Sequence, residues 1–350
     1  MATLRQQLND LIEKLTPDME KAFHAAVDDL KSEVVIKEVV AKLEQNDVAG
    51  ALSALHIDPA AFQPLADAMR AAYGSGGSLV AQALPQLFTP DGTRVVFRWD
   101  VSNQAAEANI RDLSSKLITN ISGGTVQAVQ QAIVNGYAQG QGPAAIALDL
   151  VGRRNNVTGK REGGIIGLNG PQSELIARTQ INLASGDPVL MKKYLDLNTR
   201  DKRFDGAVKK AIAAGKPLDA ATATKVLARL RDKNLKLRGD TIARTETVTA
   251  VLTAKHDAYR QALAKANRDE TLVKRKWRSS GKITVRHTHQ ILNGQEVVGM
   301  DLPFVSVSGA MLRYPGDVGL GAPVSEIVNC ECDVDYVFDF AEAFARSKGR

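Results

Sequence analysis

The chain has 350 residues, with 44% hydrophobic and 24% charged residues. That balance is ordinary for a folded globular protein, and it excludes a disordered chain, a collagen or a disulfide-rich mini-protein. The length fits two or three domains. No apolar run approaches the roughly 18 residues that a membrane span needs. The 5% aromatic share of an Ala- and Leu-rich chain points to helices packed by small side chains rather than to an all-β sandwich.

The net charge of +6 is unevenly placed. Residues 1–100 hold 9 Lys and Arg against 14 Asp and Glu, whereas the remaining 250 hold 36 against 25. An acidic front part suits protein partners. A basic remainder suits a polyanionic neighbour such as nucleic acid. The N-terminus enters an amphipathic pattern at once, with neither the apolar core nor the cleavage site of a secretory signal, so folding in the cytoplasm is expected.

In chain order, Leu8, Leu11, Ile12 and Leu15 recur at helical spacing. Thr16-Pro17-Asp18 is expected to end that helix and start another, through Phe23, Val27 and Leu30. Asn46-Asp47 and Asp58-Pro59 open two more. Gly74-Ser75-Gly76-Gly77-Ser78 reads as a flexible turn, and Thr89-Pro90-Asp91-Gly92 as a tight one. Helices follow over Ala105–Thr119, Gly124–Tyr137 and 144–151, then an exposed basic loop at Arg153–Arg161. Residues 171–266 read as almost wholly helical, with breaks at Gly186-Asp187-Pro188, Gly206, Gly215-Lys216-Pro217 and Gly239-Asp240. Asp240 is the expected cap of the last helix. After residue 270 alternation such as Val334-Tyr336-Phe338 signals strands. The expected fold is mainly α: a helical N-terminal domain over 1–90, a central helical domain over 91–268 and a small α+β domain over 269–350.

The unusual chemistry lies in that last domain. The two cysteines, Cys330 and Cys332, are one residue apart. They can share a metal, form a strained short bridge, or stay as reduced thiols, the state a cytoplasmic origin favours. With His287 and His289 they would make up a Cys2His2 zinc set, although the one-residue spacing is shorter than structural zinc sites commonly use. A nucleolytic reading takes His289 as acid or base, Arg286 and Arg244 as phosphate partners and Glu246 as a partner carboxylate. The competing reading makes Arg244, Glu246, Trp277, Arg286, His289, Cys330 and Cys332 a structural network between the long helix and the small domain. It is preferred because no nucleophile motif and no paired carboxylates accompany them. Lys274, Arg275, Lys276, Arg278 and Lys282, interleaved with Trp277, are the candidate contacts to a DNA backbone. On a strand, alternate members would share one face. Arg161-Glu162-Gly163-Gly164 lacks both the Walker and the dinucleotide-binding glycine patterns.

Four blocks resemble the phage head morphogenesis family, the Mu F-like minor capsid proteins. They are Arg161-Glu162-Gly163-Gly164-Ile165-Ile166-Gly167-Leu168; Asn198-Thr199-Arg200-Asp201-Lys202-Arg203-Phe204-Asp205; and Arg238-Gly239-Asp240-Thr241-Ile242-Ala243-Arg244-Thr245-Glu246. The fourth is a distributed set: Trp277, Arg286-His287-Thr288-His289, Leu292-Asn293-Gly294-Gln295, Phe304, Gly309–Asp317 and Asn329-Cys330-Glu331-Cys332. Glu331 stands where the family often has Arg, and Ser280-Gly281 where it often has an Asp. The resemblance spans about residues 150–335. It implies a minor head protein of a tailed phage: few copies per virion, associated with the portal protein and other capsid or scaffolding proteins, and needed for head assembly. It also implies a place near packaged double-stranded DNA, with ejection alongside that DNA left open. It implies no established enzymatic activity; no cofactor and no membrane partner are expected.

Overall fold

The computed structural model describes residues 2–339. Helices hold 62% of the chain and the sheets have only two or three strands, so the fold is mainly α with a small α+β part, as expected. In chain order the elements are α1 (Leu4–Glu33), α2 (Ile36–Glu44), α3 (Val48–Ala54), α4 (Gln63–Ala83), β1 (Leu87–Phe88), β2 (Arg94–Val95), α5 (Gln104–Ala138) and α6 (Pro143–Val151). Then come β3 (Arg153–Arg154), β4 (Arg161–Glu162), α7 (Gly170–Ala184), α8 (Pro188–Leu195), α9 (Asp205–Ala214) and α10 (Ala220–Lys265). The chain continues through β5 (Val273–Arg278), α11 (His287–Leu292), β6 (Glu296–Val298), β7 (Phe304–Val305), β8 (Met311–Leu312), α12 (Val324–Ile327) and β9 (Asp333–Phe338).

The chain forms two compact units, each assembled from separate stretches. The first takes residues 1–20, 66–114 and 241–350; the second takes 21–65 and 115–240. The boundaries expected near 90 and 268 therefore both fall inside the first unit. Residue 90 is the tip of the β1–β2 hairpin, and residues 266–272 lead directly from α10 into β5. The part of the expected third domain beyond Asp339 lies outside the described residues.

The first unit contains a three-stranded antiparallel sheet in the order β6-β5-β9, with β5 in the middle. Along β5, Val273, Arg275 and Trp277 are buried while Lys274, Lys276 and Arg278 are half-buried, which is the period-two alternation of a strand with one covered face. Tyr259 of α10 stacks on Tyr336 of β9, ring centroids 4.4 Å apart, and fixes the sheet against the helix. In the second unit, Leu183, Met191, Tyr194, Val208, Leu218 and Val226 close a small core between α7, α8, α9 and the start of α10.

Four expected helix breaks are absent, and each has a packing reason. Pro17 lies inside α1. The buried stripe Leu8, Met19, Phe23, Val27 and Leu30 keeps helical spacing across it, and that burial outweighs the roughly 3 kcal/mol a mid-helix proline costs. The Gly74–Ser78 stretch lies within α4, because a Cβ on Gly76 would sit 3.1 Å from the Val251 Cα and one on Gly77 would strike the Trp99 indole. Gly124 lies within α5, with a Cβ there 3.2 Å from an Arg238 nitrogen. Gly239-Asp240 lies within α10, and a Cβ on Gly239 would come within 2.6 Å of His24 Nε2. Asp240 is consequently no cap; it pairs with Lys236 one turn earlier. These glycines permit close approach of a neighbour rather than end a helix.

Candidate functional site

Asn329-Cys330-Glu331-Cys332 leads into β9, and its entry is set by Asn329 in the left-handed region, φ 53°. The Asn329 amide donates to Thr245 Oγ1 of α10 at 3.1 Å. Two residues apart in extended chain, Cys330 and Cys332 direct their thiols to the same side. Both are buried and unbridged. His289, on α11 and fully buried, places Nδ1 at 3.3 Å from Cys330 Sγ and 3.6 Å from Cys332 Sγ. The Trp277 ring meets the imidazole edge-on at 5.0 Å between centroids.

On the far side of the imidazole, a Glu326 carboxylate oxygen lies 3.0 Å from Nε2. It sits off the line of the ring N–H, so the contact is electrostatic rather than an aligned hydrogen bond. Glu326 is buried and is held by Ser308 Oγ at 2.7 Å and Thr288 Oγ1 at 2.8 Å. Burial works against its charge, but those two hydrogen bonds and the nearby imidazole hold the carboxyl below its ordinary range. Arg286 donates to the carbonyls of Glu326 and Val328 and thereby fixes the segment that delivers the cysteines. The two thiols divide their titration. Contact with Cys330, followed by His289, pulls Cys332 below a thiol's usual range, while the same contact and burial push Cys330 up.

Arg244 of α10 reaches Glu331 at 3.2 Å, and Lys282 reaches the same carboxylate at 2.7 Å. An Arg at position 331 would face two cations here, so the Glu suits its surroundings. Below this cluster Lys255 and Asp333 form a buried pair at 2.8 Å.

Arg244, Trp277, Arg286, His289, Cys330 and Cys332 thus come together. His287 does not: it is exposed at the start of α11, outside the donor cluster. Glu246 takes no part in these contacts. Its carboxyl end is enclosed by protein although part of the residue stays exposed, and burial pushes it up to about 7. Sequence reasoning missed Glu326, because a carboxylate in the four-residue helix α12 carries no periodic signal.

Comparison of the chain with family models, curated proteins and solved structures gives no match.

The basic strand departs from the DNA-contact expectation. Arg275 is fully buried, its guanidinium donating to the carbonyls of Gly299, Leu302 and Arg313. Lys274 pairs with Asp339 at 2.8 Å, Lys276 with Glu296 at 2.6 Å, Arg278 with Asp335 and Lys282 with Glu331. Residues 269–350 as a whole hold 10 Lys and Arg against 11 Asp and Glu. The positive excess lies instead in residues 115–240, with 20 against 10. There Lys192 and Lys193 on α8 and Lys209 and Lys210 on α9 are exposed, with no carboxylate within ion-pair distance among the described residues.

Proposed function

We propose that this protein is a minor capsid protein of a tailed bacteriophage, acting in head morphogenesis near the portal vertex. One observation carries the reading: all four blocks of the resemblance converge on the single helix α10. Gly163 of the first block donates its amide to Asp232 at 2.6 Å and packs so closely that a Cβ would meet Ala228. Thr199 of the second accepts from Asn234 at 3.3 Å. The third block is part of α10 itself, and the fourth returns to it through Asn329 with Thr245. In each unit, therefore, the blocks that fall there pack on that unit's own part of α10, as expected of a family whose shared feature is a scaffold.

The enzyme alternative is disfavoured by geometry. His289 is fully buried between two thiols and a carboxylate, out of reach of a phosphodiester. Arg286 and Arg244 are engaged by carbonyls and by Glu331. In the proposed role the portal protein and other capsid or scaffolding proteins are the protein partners. Packaged double-stranded DNA is a non-specific neighbour, met by the lysines of α8 and α9. No helix among the described residues is long and apolar enough to cross a membrane.

Quantitative mass spectrometry of DNA-filled particles tests the proposal, counting this chain against the portal protein. The expected result is a few copies up to about one per portal subunit. Absence from both mature particles and assembling heads would overturn it.

A further inference from the structure

We infer that His289, Cys330 and Cys332 are the protein ligands of a zinc ion. This goes beyond the capsid reading and does not depend on it.

The three donor atoms, His289 Nδ1 and the two Sγ, all lie within 4.8 Å of one another and all three residues are buried. Tetrahedral zinc with Zn–S near 2.3 Å and Zn–N near 2.0–2.1 Å sets the donors apart by about 3.5 Å for S to N and about 3.8 Å for S to S. The observed Nδ1 distances of 3.3 and 3.6 Å bracket the first of these values. The two nitrogen-to-sulfur edges of a coordination polyhedron are thus already in place, with the two Sγ within 4.8 Å of each other.

The surroundings fit the same reading. A Glu326 carboxylate oxygen lies 3.0 Å from the other imidazole nitrogen, off the line of its N–H, on the side where a ligating histidine commonly has a carboxylate partner. Glu326 is itself held by Ser308 and Thr288, so its carboxylate stays beside the ring. The charges also close: two thiolates and a neutral imidazole balance a divalent cation, leaving a neutral buried centre. Two sulfur donors and one nitrogen select a borderline or soft metal over calcium or magnesium.

A cavity of about 30 Å3 is bordered by all three ligands together with Ser280, Arg286 and Asn329. A single water needs roughly 10–15 Å3 by the same measure, so the fourth position has room for one water ligand. His287, the fourth ligand that a Cys2His2 pattern would use, is exposed and outside the cluster. Among the described residues the site is therefore Cys2His, with room for solvent.

The test uses the full chain, purified under reducing conditions and loaded with zinc alone. Native mass spectrometry and elemental analysis should find about one zinc per chain. Cobalt in its place should give the intense tetrahedral visible bands and the thiolate-to-metal charge-transfer absorption. His289→Ala and the double change Cys330→Ser with Cys332→Ser should lower bound zinc at least about tenfold, while His287→Ala should keep it. Should those variants fail to fold, the wild-type chain decides: its cobalt spectrum must show thiolate ligation, and chelation must lower Tm by at least about 5 °C. Wild-type protein that takes up neither metal overturns the assignment. So does full zinc content in the double cysteine variant, or a Cys330–Cys332 disulfide in the reduced preparation.

Discussion

Basic residues cluster in both units, under opposite conditions. On β5 of the first unit, Lys274, Lys276 and Arg278 each face a carboxylate, and Arg275 is buried against three carbonyls. On α8 and α9 of the second, Lys192, Lys193, Lys209 and Lys210 are exposed, without such partners among the described residues. The first cluster is denser in sequence and draws the eye as a nucleic-acid contact. Its charge, however, is matched within a few ångströms, so little field extends outward past the roughly 10 Å screening length of 0.1 M salt. The second cluster is spread over two helices, and its charge is uncompensated. What attracts a polyanion is the net local field, and the density of lysines along a sequence does not report it.

The sharpest way to break this comparison is at Arg275. If it is structural, Arg275→Met removes five donors from a dry site and leaves the carbonyls of Gly299, Leu302 and Arg313 without partners. We expect a loss of about 3–5 kcal/mol in chemical denaturation, the range for breaking a buried charged network. A loss below about 1 kcal/mol, accompanied by weaker DNA binding, would return this residue to the surface role its sequence context suggests.

The next largest effect is on DNA binding. Changing Lys192, Lys193, Lys209 and Lys210 together to Gln should flatten the dependence of log K on log salt by about 3–4, near 0.9 per lost phosphate contact. Affinity for duplex DNA at moderate salt should fall by about 10–100-fold without regard to sequence. The paired change Lys274→Gln with Lys276→Gln should leave binding within about twofold, because those ammonium groups are already neutralised by Asp339 and Glu296. Fluorescence anisotropy against a salt series reads both. The reverse ranking would show that the strand's ion pairs open for DNA.

The same contrast explains what could be read from sequence. The fold class was legible because the apolar stripes of α3, α4 and α10 have helical period, and because Asp47 and Asp58 cap where their side chains predict. The face of β5 was legible from alternation. Helix continuity was not, since Gly76, Gly124 and Gly239 are chemically identical to glycines that end helices. Only a neighbour's distance, such as His24 at 2.6 Å from a Cβ on Gly239, separates close approach from a break. The two-unit division was hidden for a related reason: residues 1–20, 66–114 and 241–350 join through contacts that no local window contains. In the site, Cys330, Cys332 and His289 were visible as residue types. Their Glu326 partner was not, and neither was the separation of His289 from His287. That separation depends on which of two nearby histidines α11 turns inward.

Glu246 supplies the smallest test, and it probes the first unit's habit of matching its charges. Unlike Lys274, Lys276 and Arg278, this carboxyl is enclosed with no compensating cation among the described residues, and burial raises it to about 7 from an ordinary 4.5. A carboxyl raised on folding binds its proton more tightly in the native state, so the unfolded chain loses that proton first. Its contribution is therefore most favourable below about pH 4.5, and stability is lost as pH rises from there to about 7. Glu246→Gln removes that loss. Because part of the residue stays exposed, we expect a discounted gain of about 1–2 kcal/mol at pH 8 and no gain near pH 4.5. Denaturant unfolding of both chains at the two pH values measures it. An equal or negative effect at pH 8 would mean that the carboxylate has a cation partner in solution, and the rule of matched charges would then cover Glu246 as well.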